Sequence, residues 1–137
     1  MKASELMIGD YILYKGKTNC VVTALWRYEI SVKSFLTDGG VAYSSLIEAK
    51  LFEPFPLTVE ILEKNFKVLS NEPYGNRYFY NTDYVEVEVT EYTDGTWQVV
   101  VDEIEMSGLP TWKMYVSYVH ELQHALRFAG VEKEIEI

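Results

Sequence analysis

Hydrophobic and polar positions change their rhythm twice along this chain of 137 residues. The first fifty residues read as short strands. "GDYILY" and "CVVTALW" are rich in β-formers and flank "KGKTN", a turn signal built around Gly16. "EISVKSF" follows, then the turn "TDGG" at 37–40 and a short strand "VAYS". This G-D-x-I, turn, strand, turn, strand order resembles the start of a small SH3-like β-barrel, a fold signal that names no ligand.

The rhythm changes at "EPFPLTVEILEKN". Pro54 and Pro56 force extended backbone. Thr58 is placed to cap a helix, with Glu60 and Glu63 in its first turns. The pattern predicts a short helix over 58–64 with Asn65 as a left-handed stop. "YVEVEVTEY" then alternates strictly, with Val85, Val87 and Val89 on one face and Glu86 and Glu88 on the other. Asp94-Gly95 between two β-runs signals a hairpin. A helix is expected from about 111 to 129, ended by Gly130, and "VEKEIEI" alternates as a terminal strand or tail. The expected fold class is α+β. It combines an N-terminal barrel-like sheet, a short helix, a β-hairpin sheet and a C-terminal helix. The chain is read as a single compact domain over 1–137 with two lobes, 1–52 and 53–137.

Composition narrows the function classes. The 48% hydrophobic content excludes global disorder and supports a buried core. The 15% aromatic content, with eleven tyrosines, favours β-structure. Cys20, the sole cysteine, cannot form an internal bridge and reads as a small core residue in a reducing compartment. No apolar run has the length of a signal peptide core or a membrane span, so a cytoplasmic location and no membrane partner are expected. The net charge is −9. Residues 1–77 hold nine acids and nine bases, so the excess lies wholly in 78–137. An acidic surface repels phosphate backbones, so no nucleic-acid partner is expected.

One motif carries explicit chemistry. "HELQH" matches H-E-x-x-H and contains both histidines of the chain, His120 and His124. Four-residue spacing on a helix would let both reach one zinc ion, with Glu121 as general base on a bound water. Helix phase argues otherwise. Trp112, Tyr115, Val119, Leu122, Leu126 and Ala129 form one apolar stripe, and both histidines point away from it onto a polar or boundary face. A third ligand is also missing. Arg127 stands where the extended motif has glycine, and no third histidine exists. Glu132, Glu134 and Glu136 lie on a tail too short for a returning helix, and Asp102 or Glu103 would be an unusual upstream ligand. The helix-flank reading is therefore preferred. Zinc with His120, His124 and Glu121 is kept as the alternative, a small metal-dependent hydrolase.

The segments "EPFPLTVEILEKNF" at 53–66 and "YVHELQHALRFAG" at 118–130 resemble two signatures of a family of small uncharacterised proteins from Bacteroides and related gut bacteria, often encoded in phage-derived or mobile regions. That family's pattern is a β-rich start, an "E-P-I-P-L-T" segment with a short helix, an aromatic hairpin, and a "Y-V-H-x-L-Q" helix ending in glycine. Here the usual glycine before Phe66 is missing. Relatives often read "H-Q-L-Q-N", which matches His120, Leu122 and Gln123 but not Glu121 or His124. The resemblance thus implies packing, not zinc chemistry, as the shared role of the helix, and no cofactor.

No P-loop, dinucleotide fingerprint or nucleophile elbow is present. Asp102-Glu103 could form a carboxylate pair, but a hairpin edge in water is the simpler reading. What remains is a non-enzymatic accessory or interaction protein that binds another protein. Its candidate surface comprises the aromatic cluster Tyr74, Arg77, Tyr78 and Tyr80 and the acidic strand face Glu86, Glu88 and Glu91.

Overall fold

The computed structural model describes residues 1–70, 75–103 and 112–137. It is α+β, with two five-stranded antiparallel sheets and two helices. The chain divides into two compact units, Met1–Phe55 and Pro56–Ile137.

In the first unit, β1 (Tyr11–Tyr14), β2 (Thr18–Leu25), β3 (Glu29–Phe35) and β4 (Val41–Glu48) form a meander. A 3-10 turn, Ala49–Leu51, leads to β5 (Phe52–Pro54), which returns beside β1. The sheet order is β4-β3-β2-β1-β5. Strands β4 and β5 are its two edges and do not pair with each other, so the sheet is not a closed barrel. Ile12, Cys20, Val22, Ile30, Val32 and Phe52 are each 0–1% exposed and make the centre of this unit's core. Cys20 is therefore a core residue, with its Sγ 3.3 Å from Ser34 Oγ. The G-D-x-I pattern also has a local cause. Asp10 is fully buried, its carboxylate accepts from the Met7 N–H at 2.7 Å, and its carbonyl accepts from Val22 N at 3.0 Å.

The "KGKTN" turn requires its glycine. Gly16 has φ +68°, and a Cβ there would lie 2.8 Å from Glu53 Oε2. Gly16→Ala should destabilise the first unit by about 1–2 kcal/mol, the left-handed penalty for an L-residue. Adding Glu53→Ala removes the clash but not the φ strain, so equilibrium denaturation of the double variant should show only partial recovery.

In the second unit, α1 (Val59–Asn65) starts at Thr58, whose Oγ1 accepts from Ile61 N at 3.4 Å. The Glu60 carboxyl is held below its ordinary range by its own backbone N–H and by the Thr58 hydroxyl. The predicted short helix and cap are thus present. Asn65 differs from expectation. It is the last helical residue and is buried, and φ is not positive there. Its side chain is used elsewhere, as described below.

Strands β6 (Lys67–Ser70), β7 (Asn76–Asn81), β8 (Val85–Thr93), β9 (Thr96–Glu103) and β10 (Trp112–Val116) form a sheet in the order β10-β9-β8-β7-β6. Asp94-Gly95 makes the β8–β9 hairpin turn, with Gly95 at φ +74°. Antiparallel register puts paired residues on one face. Tyr78, Val89 and Val99 are in register on the inner face, as are Val87 and Val101. All five are 0–2% exposed. The strict alternation read at 84–92 therefore gives the inner and outer faces correctly.

The helix expected over 111–129 is corrected. Residues Trp112–Val116 form strand β10, paired with β9 from Trp112↔Val101 to Val116↔Trp97. Only Val119–Phe128 form the helix, α2. The segment "WKMYV" also alternates, and its Trp, Tyr and Val are β-formers, so two periods fit the same residues. The free edge of β9 decides between them. Residues 117–118 stay extended because Ser117 O accepts from Leu57 N at 3.0 Å and Tyr118 bridges to Pro56.

Helix α2 ends as expected. Gly130 has φ +74°, Gly130 N donates to Arg127 O and Val131 N donates to Leu126 O, a left-handed glycine stop. The tail 131–137 belongs to no strand or helix. Val131 and Ile135 are buried, while Glu132, Glu134 and Glu136 are exposed. Asn65 pins it. Its Nδ2 donates to Ile61 O and Glu136 O, both at 2.7 Å, and its Oδ1 accepts from Glu136 N at 2.8 Å. No described helix is long and apolar enough to cross a membrane.

Candidate functional site

The HELQH residues are all in the first turns of α2. Leu122 is fully buried in the core. The imidazoles of His120 and His124 lie edge to face, with ring centroids 5.6 Å apart. Their environments differ. His124 is half-buried, whereas His120 is only 6% exposed, which corrects the expectation of a polar flank at that position. Helix phase alone misplaces it, because residues outside the helix contribute to its burial. Tyr118, just before the helix, stacks on the His120 ring at 5.9 Å with the planes 13° apart.

Glu121 has a clear local role. Its Oε2 accepts from Ser117 N at 2.7 Å and from Tyr118 N at 3.2 Å. A glutamate in the third helical position that reaches back to the preceding backbone satisfies donors that a helix start leaves without partners. The same negative charge complements the helix dipole. An oxygen committed to two backbone donors is poorly placed to take a proton from a metal-bound water. Among the described residues, no three His, Cys, Asp or Glu side chains converge as a metal-ligating group.

These contacts make Glu121 testable without assuming any activity. Glu121→Gln keeps an oxygen acceptor for Ser117 N–H and Tyr118 N–H, so it should unfold close to wild type. Glu121→Ala should cost about 1 kcal/mol in thermal or urea denaturation, as loss of a helix cap does. Elemental analysis of protein purified without a nickel column should give well under one metal per chain in both variants and in wild type. Stoichiometric zinc lost only in His120→Ala or His124→Ala would restore the hydrolase alternative.

The proposed contact residues divide between the two faces of the second sheet. Arg77, Glu86 and Glu88 are on the outer face, where Phe79 pairs with Glu88 and Asn81 with Glu86. Arg77 forms a two-pronged ion pair with Glu88, both contacts at 2.8 Å, and its guanidinium lies 5.1 Å from the Phe79 ring centroid. Hydrogen bonding to Glu88, and then its charge, raises the Arg77 pKa further above its ordinary value. Tyr78 is a correction. It is 1% exposed on the inner face and packs edge-on against Trp97 at 6.0 Å, so a docking partner cannot reach it. Tyr80 also faces inward, at the rim, where Phe66 and Lys133 flank its ring. Glu91 is exposed beside a bulge near the hairpin tip, but its register partner is Trp97, so it does not share the face of Glu86 and Glu88, which corrects the expectation of one acidic face. Tyr74 lies outside the described residues. Asp102 pairs with Glu86 and Glu103 with Val85 at the end of the β8–β9 hairpin, consistent with the hairpin-edge reading.

A concave site in the first unit gave no motif. A cavity of about 770 Å³ is lined by Trp26, Arg27, Tyr28, Glu29, Glu48 and Lys50 together with the N-terminal residues 1–4. The signal available in the sequence was "WRYE", two aromatics around an arginine in a tight β2–β3 turn. Their shared cavity depends on the 3-10 turn after β4, which is distant in sequence. Comparisons with protein-family models, curated proteins and solved structures give no match.

Proposed function

We propose that this chain is a non-enzymatic accessory protein, of phage or mobile-element origin, that binds another protein. The observation carrying this reading is how charge is divided between the units. The first unit contains six acidic and six basic residues. The second contains fifteen acidic and six basic residues, so the entire net charge of −9 belongs to it. A field of one sign steers an oppositely charged partner and repels nucleic acid. The partner is therefore a protein that is basic where it meets the second unit, and the contact face includes Glu86.

The first unit fits this role as an SH3-like scaffold. Supporting that reading are its four-strand meander, the 3-10 turn after β4, and the return of β5 beside β1. The test is a pull-down from native lysate with the tagged full chain over a salt series. The expected result is a stoichiometric basic protein retained at low salt and released as salt rises. Recovery of no stoichiometric partner at low or moderate salt would overturn the proposal.

A further inference from the structure

From the free edge of the first sheet, we infer that this chain forms a symmetric dimer through β4, with the same strand of a second copy laid antiparallel beside it. The inference goes beyond the protein-binding reading above and makes no use of the second unit. Sheet edges are ordinarily guarded by charge, proline or shortness. Three of the four described edges are guarded in this way. Strand β5 is three residues long and contains Glu53 and Pro54, β6 has Lys67, and β10 has Lys113. Strand β4 has eight residues and no charge before its last, Glu48. It exposes Val41 (47%) and Tyr43 (72%). Their register partners on β3, Phe35 and Lys33, share that face.

The ladder fixes which backbone groups of β4 face outward. Leu36 N donates to Gly40 O at 2.9 Å, closing the turn between β3 and β4. Bonded and non-bonded pairs alternate from there, so Ala42 with Ser34 and Ser44 with Val32 are the bonded pairs. Val41 and Tyr43 therefore turn their N–H and C=O groups away from β3, toward the open edge. Past Ser44 the register shifts, and Leu46 has φ +55°, so the regular edge is 41–44. This edge is complementary to itself. With Ala42 on a twofold axis, Val41 of each copy pairs with Tyr43 of the other and exchanges both N–H···O bonds with it. Each such pair sets a β-branched residue against an aromatic one, a favourable cross-strand combination. The strands behind extend it into a row of Lys33, Tyr43, then Val41 and Phe35 of the second copy. No charge stands opposite a like charge. The first units are also the parts of two copies suited to meet. Each has six acidic and six basic residues, whereas two second units at −9 repel one another. The contact uses both β4 edges, so it closes at two copies. It is small against the roughly 1,000 Å² of a stable interface, so the dimer is weak and forms at high concentration.

The test is sedimentation velocity of the full chain from about 10 µM to about 1 mM, a range suited to a small interface. A monomer–dimer equilibrium is expected. Val41→Lys or Tyr43→Glu alone should weaken it by about tenfold or more, because a charge at a sheet edge opposes pairing. Combined in one chain, the two substitutions set opposite charges across both pairs and should recover most of the loss. Amide exchange followed by NMR reads the register in the unaltered protein. At low concentration the amides of Val41 and Tyr43 should exchange fast and those of Ala42 and Ser44 slowly. At high concentration Val41 and Tyr43 should gain protection. Should a variant fail to fold, this exchange pattern decides the matter. A monomer throughout the series, species larger than a dimer, or a dimer indifferent to both single substitutions would overturn the inference. So would no recovery in the combined variant, or no added protection at Val41 and Tyr43. Neither outcome bears on the basic partner proposed for the second unit, which the pull-down tests separately.

Discussion

Trp97→Ala should destabilise the second unit by about 3–5 kcal/mol, the cost of emptying a large aromatic site in a packed core. The side chain is 4% exposed on the inner face of β9. Its ring meets Tyr78 edge-on at 6.0 Å, and its indole N–H donates to Leu57 O at 3.3 Å, tying the sheet to the segment before α1. The substitution removes the ring contacts, leaves a cavity, and strips Leu57 O of a buried donor. Domain stabilities are only about 5–15 kcal/mol, so a loss of this size consumes much of the total. Urea denaturation monitored by far-UV circular dichroism would measure it. Trp97→Phe should retain most of the packing and lose mainly the hydrogen bond, so its midpoint should fall between those of Trp97→Ala and wild type. A Trp97→Ala midpoint within error of wild type would show that the inner face does not pack as described.

Asn65→Ala is expected to have the second-largest effect, about 2–4 kcal/mol, through three buried or half-buried hydrogen bonds lost together. Asn65 is 6% exposed and joins the last turn of α1 to both backbone groups of Glu136. Without it the tail keeps the burial of Val131 and Ile135 but loses its registration. Hydrogen exchange separates this effect from that of Trp97→Ala. Asn65→Ala should lose protection first at amides 131–137, whereas Trp97→Ala should lower protection across β7, β8 and β9. Asn65→Asp should do no better than alanine at neutral pH, because it removes the donor and sets a negative charge against the carbonyl oxygens of Ile61 and Glu136. Uniform loss across the second unit in Asn65→Ala would show that the tail is not a separable element.

Much of the strand content was legible because alternation and turn chemistry agree in the same places. "YVEVEV" followed by "TDG" leaves little choice of face or turn, and β8 and β9 follow it closely. Thr58 and Gly130 were legible for the same reason, since a cap depends on a few neighbouring residues and little else. The segment at 112–116 was not, because its apolar residues satisfy a helical and a β period at once. The local sequence at Asn65 reads as a helix stop, yet its partner on the tail, Glu136, lies 71 residues away.

The candidate sites divide along the same line. HELQH is conspicuous as a string, but the contacts of Glu121 with Ser117 N and Tyr118 N give it a helix-start role. Tyr78 reads as one of a surface cluster because "YFY" is aromatic throughout, and strand register turns it into the core while leaving Phe79 on the outer face. The Trp26–Tyr28 cavity carries no motif, since its carboxylate from Glu48 and its supporting turn at Ala49 come from the far end of β4.

By itself, then, the sequence determined the α+β class, the faces of the β8–β9 hairpin, the start of α1, the stop of α2 and the concentration of negative charge toward the C-terminal half. Each depends on residues within a turn or two of one another, or on composition alone. Only the tertiary structure decided that 112–116 is a strand, that His120 is buried, that Asn65 pins the tail, and that Trp26 and Tyr28 share a cavity with two carboxylates. Those outcomes depend on partners across a sheet or at the other end of a unit, where burial and hydrogen bonding outweigh local preference.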